Sequence, residues 1–323
     1  MEVSKVFRHL CMLAIFSAVW WQAEASSSDE KWKLIWSDEF NGSEVDTKKW
    51  SFEEDCWGGG NEERQCYTDK TENAEVSEGV LTISALKKRT RGFANPKAAR
   101  DGDVPIMPWT KRFQKVKRPF SSARLNSKGK GDWTYGRIEA RMKLPTGQGL
   151  WPAFWMLPSD FHYGGWAASG EIDIMEAVNI GMKCDECVGG REDRVYGTLH
   201  YAGQWPDNKH SGENVPIPAP VDGFHTYAVE WSEGQMDWYV DGVHFANRTS
   251  NDWYTDTPKA GQHAPFDKPF HIILNLAVGG KWPESQNNVG YFATDFPKKM
   301  QVDWVRVYQC KADPATGSAC ARK

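Results

Sequence analysis

The sequence predicts an all-β protein, an antiparallel β-sandwich, on three observations. Several segments alternate apolar and polar residues with the period of two that a strand with one buried face requires. Gly, Pro, Asn and Asp punctuate these segments at short intervals. No long stretch carries the 3.6-residue period of an amphipathic helix, and no repeat or linker splits the chain, so short strands must cover one another face to face.

The elements follow in order. Residues 80–85, Val-Leu-Thr-Ile-Ser-Ala, open the series. Residues 135–144 put Arg137, Glu139, Arg141 and Lys143 on one face of a strand and Ile138, Ala140, Met142 and Leu144 on the other. Residues 225–231, 271–276 and 300–308 read alike. Asp241-Gly242 between β-rich flanks predicts a tight hairpin. Residues 89–119 fit no strand pattern and are expected to form a long insertion or loop excursion.

The bulk properties narrow the setting. Lys5 and Arg8 precede an apolar run over residues 10–21, and Ala23-Glu24-Ala25 follows it. This pattern predicts a secretory signal over residues 1–25, too short to span a bilayer comfortably, and one domain over residues 26–323. The net charge of −4 gives no reason to expect a nucleic-acid partner. Residues 87–130 are an exception, rich in Lys and Arg; a solvated basic loop is the plain reading and a polyanion site the sharper one. Setting Cys11 aside with the signal leaves six cysteines in close pairs, Cys56 with Cys66, Cys184 with Cys187 and Cys310 with Cys320. Local disulfides of a secreted, extracellular protein are the simplest assignment, although six cysteines permit fifteen connectivities. Cys184 and Cys187 could instead be half a zinc site, but no second pair with ligand spacing lies nearby.

The chemistry concentrates in Gly170-Glu171-Ile172-Asp173-Ile174-Met175-Glu176. Acids are unfavourable in strands, yet three stand here among apolar residues. Glu171 and Asp173 share a face, whereas Glu176 has the opposite parity. One extra residue, a β-bulge at Ile174 or Met175, would return Glu176 to the acidic face. The two glutamates would then be four strand steps apart, roughly 13 Å between Cα atoms. Inclined side chains could bring the carboxyls to about 5 Å, the separation used by a glycosidase that retains anomeric configuration. Crowded carboxylates raise one another's pKa, which suits a pair in which one is acid and the other nucleophile, with Asp173 holding their protonation states apart. An exposed acidic strand or a calcium-binding face is the bland alternative. Trp151, Trp155 and Trp166 lie just upstream, and indoles stack on the flat C–H faces of pyranose rings; core packing is the rival role for each.

At Glu171-Ile-Asp-Ile-Met-Glu176 the chain resembles glycoside hydrolase family 16, in its laminarinase (endo-β-1,3-glucanase) branch. The resemblance runs from Trp36-Ser-Asp-Glu-Phe40 through Ser122-Ala-Arg-Leu-Asn126, Tyr135-Gly-Arg-Ile-Glu-Ala-Arg141, Gly149-Leu-Trp-Pro-Ala-Phe-Trp155 and Leu276-Ala-Val-Gly-Gly-Lys-Trp-Pro283 to Val302-Asp-Trp-Val-Arg-Val-Tyr308. It implies a β-jelly-roll whose concave sheet forms an open cleft. It implies Glu171 as nucleophile, Glu176 as acid/base and Asp173 as the residue assisting the nucleophile. It further implies Asn61, Glu139 and Arg141 as contacts to glucose hydroxyls, and His200 as a cleft residue on the neighbouring strand. Glu39 and Asp303 fall where some members bind a structural calcium ion; catalysis itself needs no cofactor. The implied partner is a β-glucan polysaccharide, with no nucleic acid and no membrane, and the chain is expected to act as a monomer. Mixed-linkage glucan cleavage, transglycosylation and non-catalytic glucan binding are the alternatives the same fold could serve.

Overall fold

The computed structural model describes residues 31–104, 109–258, 260–286 and 295–323; the predicted signal segment lies outside them. Two eight-stranded antiparallel sheets face each other. The numbering below follows the chain. The first sheet holds β1 (Trp32–Asp38), β4 (Ala74–Ser77), β5 (Val80–Ala85), β11 (Gly136–Lys143), β16 (His225–Ser232), β17 (Gln235–Val240), β18 (Val243–Thr249) and β20 (Lys298–Cys310). Its order is β18-β17-β16-β11-β20-β5-β4, with β1 also on β20. The second holds β2 (Ser51–Phe52), β9 (Arg124–Asn126), β10 (Asp132–Trp133), β12 (Leu150–Pro158), β13 (Glu171–Glu176), β14 (Arg194–Ala202), β15 (Asn208–Pro216) and β19 (Phe270–Val278). Here the order is β15-β14-β13-β12-β19-β9-β2, with β10 on β19.

The predicted alternation is what closes this sandwich. In β11, Ile138, Ala140 and Met142 are fully buried, and they meet Phe154 and Met156 of β12, Ile172 of β13 and Leu274 of β19 in one continuous core. Burying a side chain of this size stabilises by about 1.5–3 kcal/mol, so the layers hold together through many such contacts rather than one. Asp241, at φ 48°, and Gly242 make the hairpin between β17 and β18.

Residues 89–104 and 109–119 hold more regular structure than expected. The short strands β6 (Thr90–Phe93) and β7 (Lys115–Arg118) pair antiparallel, with the helix α1 (Lys97–Asp101) between them. The hairpin rests on the chain at Gly92, where a Cβ would stand 2.7 Å from Cys56 Sγ. Two further short strands, β3 (Gln65–Tyr67) and β8 (Phe120–Ser122), pair in parallel beside it. The second helix, α2 (Lys281–Ser285), follows β19. All three local disulfides form, Cys56–Cys66, Cys184–Cys187 and Cys310–Cys320, which removes the zinc alternative.

Candidate active site

The acidic strand β13 lies third in the second sheet, between β12 and β14. Against β14, Glu171 pairs with His200 and Asp173 with Thr198, but Glu176 pairs with Tyr196, so β13 carries one residue more than its neighbour. Against β12 the residue passed over is Ile174. The predicted bulge is therefore present, and it turns both glutamates to the outer face while Ile172, Ile174 and Met175 stay buried. The bulge also leaves its main chain partly out of the ladder. Trp238 of β17 reaches across the core, and its Nε1 donates to the Asp173 carbonyl at 2.9 Å. Gly197 of β14 makes room for that indole, since a Cβ there would meet its ring at 2.5 Å.

The outer face of this sheet is recessed: all nine residues of β19 are buried, including His271, Asn275 and the others that point away from the core. On this face each glutamate receives one indole N–H. Trp166 Nε1 donates to Glu171 Oε2 at 2.8 Å, and Trp151 Nε1 donates to Glu176 Oε1 at 2.9 Å. His200 Nε2 lies 3.3 Å from Asp173 Oδ2 and 3.6 Å from Glu171 Oε1. Asp173 is 1% exposed, and its Oδ2 faces the His200 ring.

Burial and the Asp173 charge raise both glutamates. Glu171 is pushed up to about 7, first by burial and then by Asp173; the His200 cation, the Trp166 N–H and Arg124 pull it back. Glu176 rises well above the usual carboxylate range, by burial, by Asp173 and by Glu171 itself. Burial opposes a cation on His200, yet the adjoining Asp173 and the two glutamates hold its pKa up to about 10. Glu176 is thus the carboxyl pushed further towards its protonated form, while Glu171, which has Arg124 as well as His200 pulling it down, is the one that favours an anion.

Aromatic rings flank the acids. Trp151 meets Trp282 of α2 edge-on at 5.3 Å, and Trp282 meets Tyr196 at 5.0 Å. Trp166 lies 5.5 Å from the His200 ring. Trp155 shares the face with Trp151; its Nε1 donates to Asn275 at 2.7 Å, and the Arg124 guanidinium lies 4.7 Å from its ring centre. Arg124 in turn contacts Glu53 at 3.2 Å. Asn61 sits in the loop before β3, where its carbonyl accepts from Lys281 N at 2.8 Å, beside the Gly280–Trp151 contact. The site therefore gathers Glu171, Asp173, Glu176, Trp151, Trp155, Trp166 and His200 on one face, with Asn61 at its border. Arg124, Trp282 and Tyr196 join them without having been singled out.

Two expectations fail. Glu139 and Arg141 belong to β11 in the other sheet, whose inward residues Ile138, Ala140 and Met142 fill the core. Their side chains point to the opposite outer surface, where Glu139 pairs with Arg137 at 3.0 Å and Arg141 with Asp303 at 2.5 Å. They cannot contact a ligand lying on Glu171. Glu39 and Asp303 likewise do not fit a calcium cage. Glu39 is clasped by Arg306 at 2.8 Å and Asp303 by Arg141, so each carboxylate already faces a full positive charge that a cation would have to displace.

The chain matches the profile of the glycosyl hydrolases family 16 over residues 61–306. A glucan endo-1,3-beta-glucosidase A1 of Niallia circulans is 41% identical over 287 residues, which cover 85% of this chain and 38% of that one. A beta-glucanase of Rhodothermus marinus is 36% identical over 316 residues, 96% of this chain and 97% of the relative. The crystal structure of the laminarinase from Rhodothermus marinus superposes with a TM-score of 0.67 at 36% identity, covering 86% of this chain and 98% of that one. A jelly-roll with its acids on a bulged strand, a profile spanning most of the chain and relatives aligned nearly end to end lead to one assignment: the chain belongs to family 16 of the glycosyl hydrolases.

Proposed function

We propose that the chain is a secreted endo-β-1,3-glucanase that cleaves by double displacement with retention of configuration. The observation that carries the reading is the pair of glutamates on the bulged strand, each held by one indole N–H and separated in proton affinity. Glu171 attacks the anomeric carbon as an anion while Glu176 gives its proton to the leaving oxygen; Glu176 then takes a proton from the water that releases the glycosyl-enzyme. Proton loss from Glu176 in the first step is eased because Glu171 has by then spent its charge on the new bond. Asp173 and the His200 imidazolium hold the charge around Glu171, and Trp166 and Trp151 orient the two carboxyls. Trp282 and Tyr196 offer edges and faces for further sugar rings. Three disulfides and the predicted signal over residues 1–25 support export.

Release of reducing ends from laminarin, with lichenan and a galactan alongside, tests the reading. Short oligosaccharides from laminarin that vanish in Glu171→Gln are expected. Activity on another polymer alone would replace the substrate, and silence on all three would replace catalysis by binding.

A further inference from the structure

From the hairpin of β6 and β7 we infer a second carbohydrate site, a cationic surface that docks an anionic polysaccharide bearing sulfate or uronate groups. Residues 87–118 carry eleven Lys and Arg against two Asp, while the whole chain has a net charge of −4. Among the described residues only Lys88 and Lys97 of this segment hold a carboxylate, that of Glu72 and that of Asp101.

The pairing register arranges the rest. Arg91 stands directly opposite Lys117, and Phe93 opposite Lys115. All four therefore lie on one face, turned away from Gly92 and the Cys56–Cys66 disulfide behind it. Phe93 anchors two of the cations: the Arg100 guanidinium lies 4.1 Å from its ring centre and Lys115 Nζ 4.7 Å. Arg91 and Lys117 are exposed and have no acid between them. Like charges directly opposite in a ladder destabilise the pair, so this hairpin is less stable bare than with an anion bridging its face.

An extended polyanion fits this layout better than a single ion. Cations recur across the ladder at about 5 Å and along β7 at about 6.6 Å. That is close to one sugar unit, so charges on successive rings can meet successive side chains. The hairpin adjoins β3, whose Gln65 Oε1 accepts from Val278 N at the end of β19, so the patch is mounted beside the sheet that carries the glutamates. A polysaccharide is chosen over a nucleic acid because the neighbouring site is read as glycan-cleaving; the inference rests on that reading for the class of polymer only. The patch would hold the enzyme on a charged matrix while neutral glucan is cut.

The test is affinity electrophoresis of the full chain in gels holding dextran sulfate, polygalacturonate or neutral dextran. Retardation by a charged polymer but not by dextran is expected, with dextran sulfate and polygalacturonate separating sulfate from uronate recognition. The affinity should fall at least about tenfold between 50 and 200 mM salt, as counterion release requires for several contacts. The double variant Arg91→Ser/Lys117→Ser should lose at least about tenfold in retardation while hydrolysing soluble laminarin at the parent rate. An alanine pair at exposed Lys209 and Lys311 controls for net charge. Absence of retardation at 50 mM salt, equal loss in the control variant, or tighter binding to DNA would each overturn the proposal. Retardation in the gel does not depend on hydrolysis, so failure here leaves the glucanase reading standing.

Discussion

Trp166→Phe separates two roles of one side chain. Phenylalanine keeps an aromatic face for a sugar and removes only the N–H that donates to Glu171 Oε2 at 2.8 Å. A hydrogen bond to a charged acceptor contributes about 1.5–3 kcal/mol, and a pKa unit corresponds to about 1.4 kcal/mol. Glu171, pushed up to about 7 in the parent, should therefore rise by a further one to two units. Only its anion attacks. At pH 6 the ionised fraction is roughly one in ten for the parent and roughly one in a hundred or less for the variant, a loss of about tenfold to a hundredfold in kcat/KM. On the alkaline side of the limb the two enzymes should converge. The assay is kcat/KM on laminarin across pH 4–9, fitted for the acid limb. A uniform drop with the limb unmoved would refute the reasoning and reduce Trp166 to a stacking platform.

Glu171→Gln should raise stability while abolishing catalysis. The native carboxyl keeps its proton up to about 7 and the unfolded one only to 4.5, so parent stability falls as pH rises through that window, by up to about 3 kcal/mol. The variant's Tm advantage should thus be small at pH 4.5 and largest above pH 7; a constant offset would contradict the assignment. Arg124→Met leaves Glu53 and the buried Asp55 and Glu63 without their shared cation, and should cost about 3–5 kcal/mol in denaturant unfolding. Trp238→Phe removes the donor to the Asp173 carbonyl, for which a loss of about 1–3 kcal/mol and a fall in kcat at unchanged pH profile are expected from thermal unfolding and kinetics.

The strands of this fold were legible wherever apolar side chains alternate, because burial on one face imposes period two. The bulge was legible for the same reason: three acids could share a face only if one residue was passed over. Glu139 and Arg141 were expected at the substrate from the resemblance, and alternation could not correct this because it does not say which layer a strand joins: β11 pairs with β16 and β20 in the other sheet. The pairing of Glu39 with Arg306 and of Asp303 with Arg141 is set by cross-strand neighbours far apart in sequence, which no local pattern encodes. Trp282 reaches the site through a five-residue helix whose position depends on contacts with Trp151 and Tyr196 rather than on its own periodicity. The hairpin in residues 89–119 escaped notice because Gly92 and a disulfide stand where an apolar inward face would normally be.

The indole of Trp238 makes the chemistry answerable to the far layer of the sandwich. It is rooted in β17, yet its one polar atom props the backbone that aims Asp173 and Glu176. Sliding one layer over the other by an ångström would break that bond before the buried apolar surface was exposed to water. Heating should therefore silence the enzyme while its secondary structure is still intact, and activity would report the alignment of the two layers more sensitively than any measure of their melting.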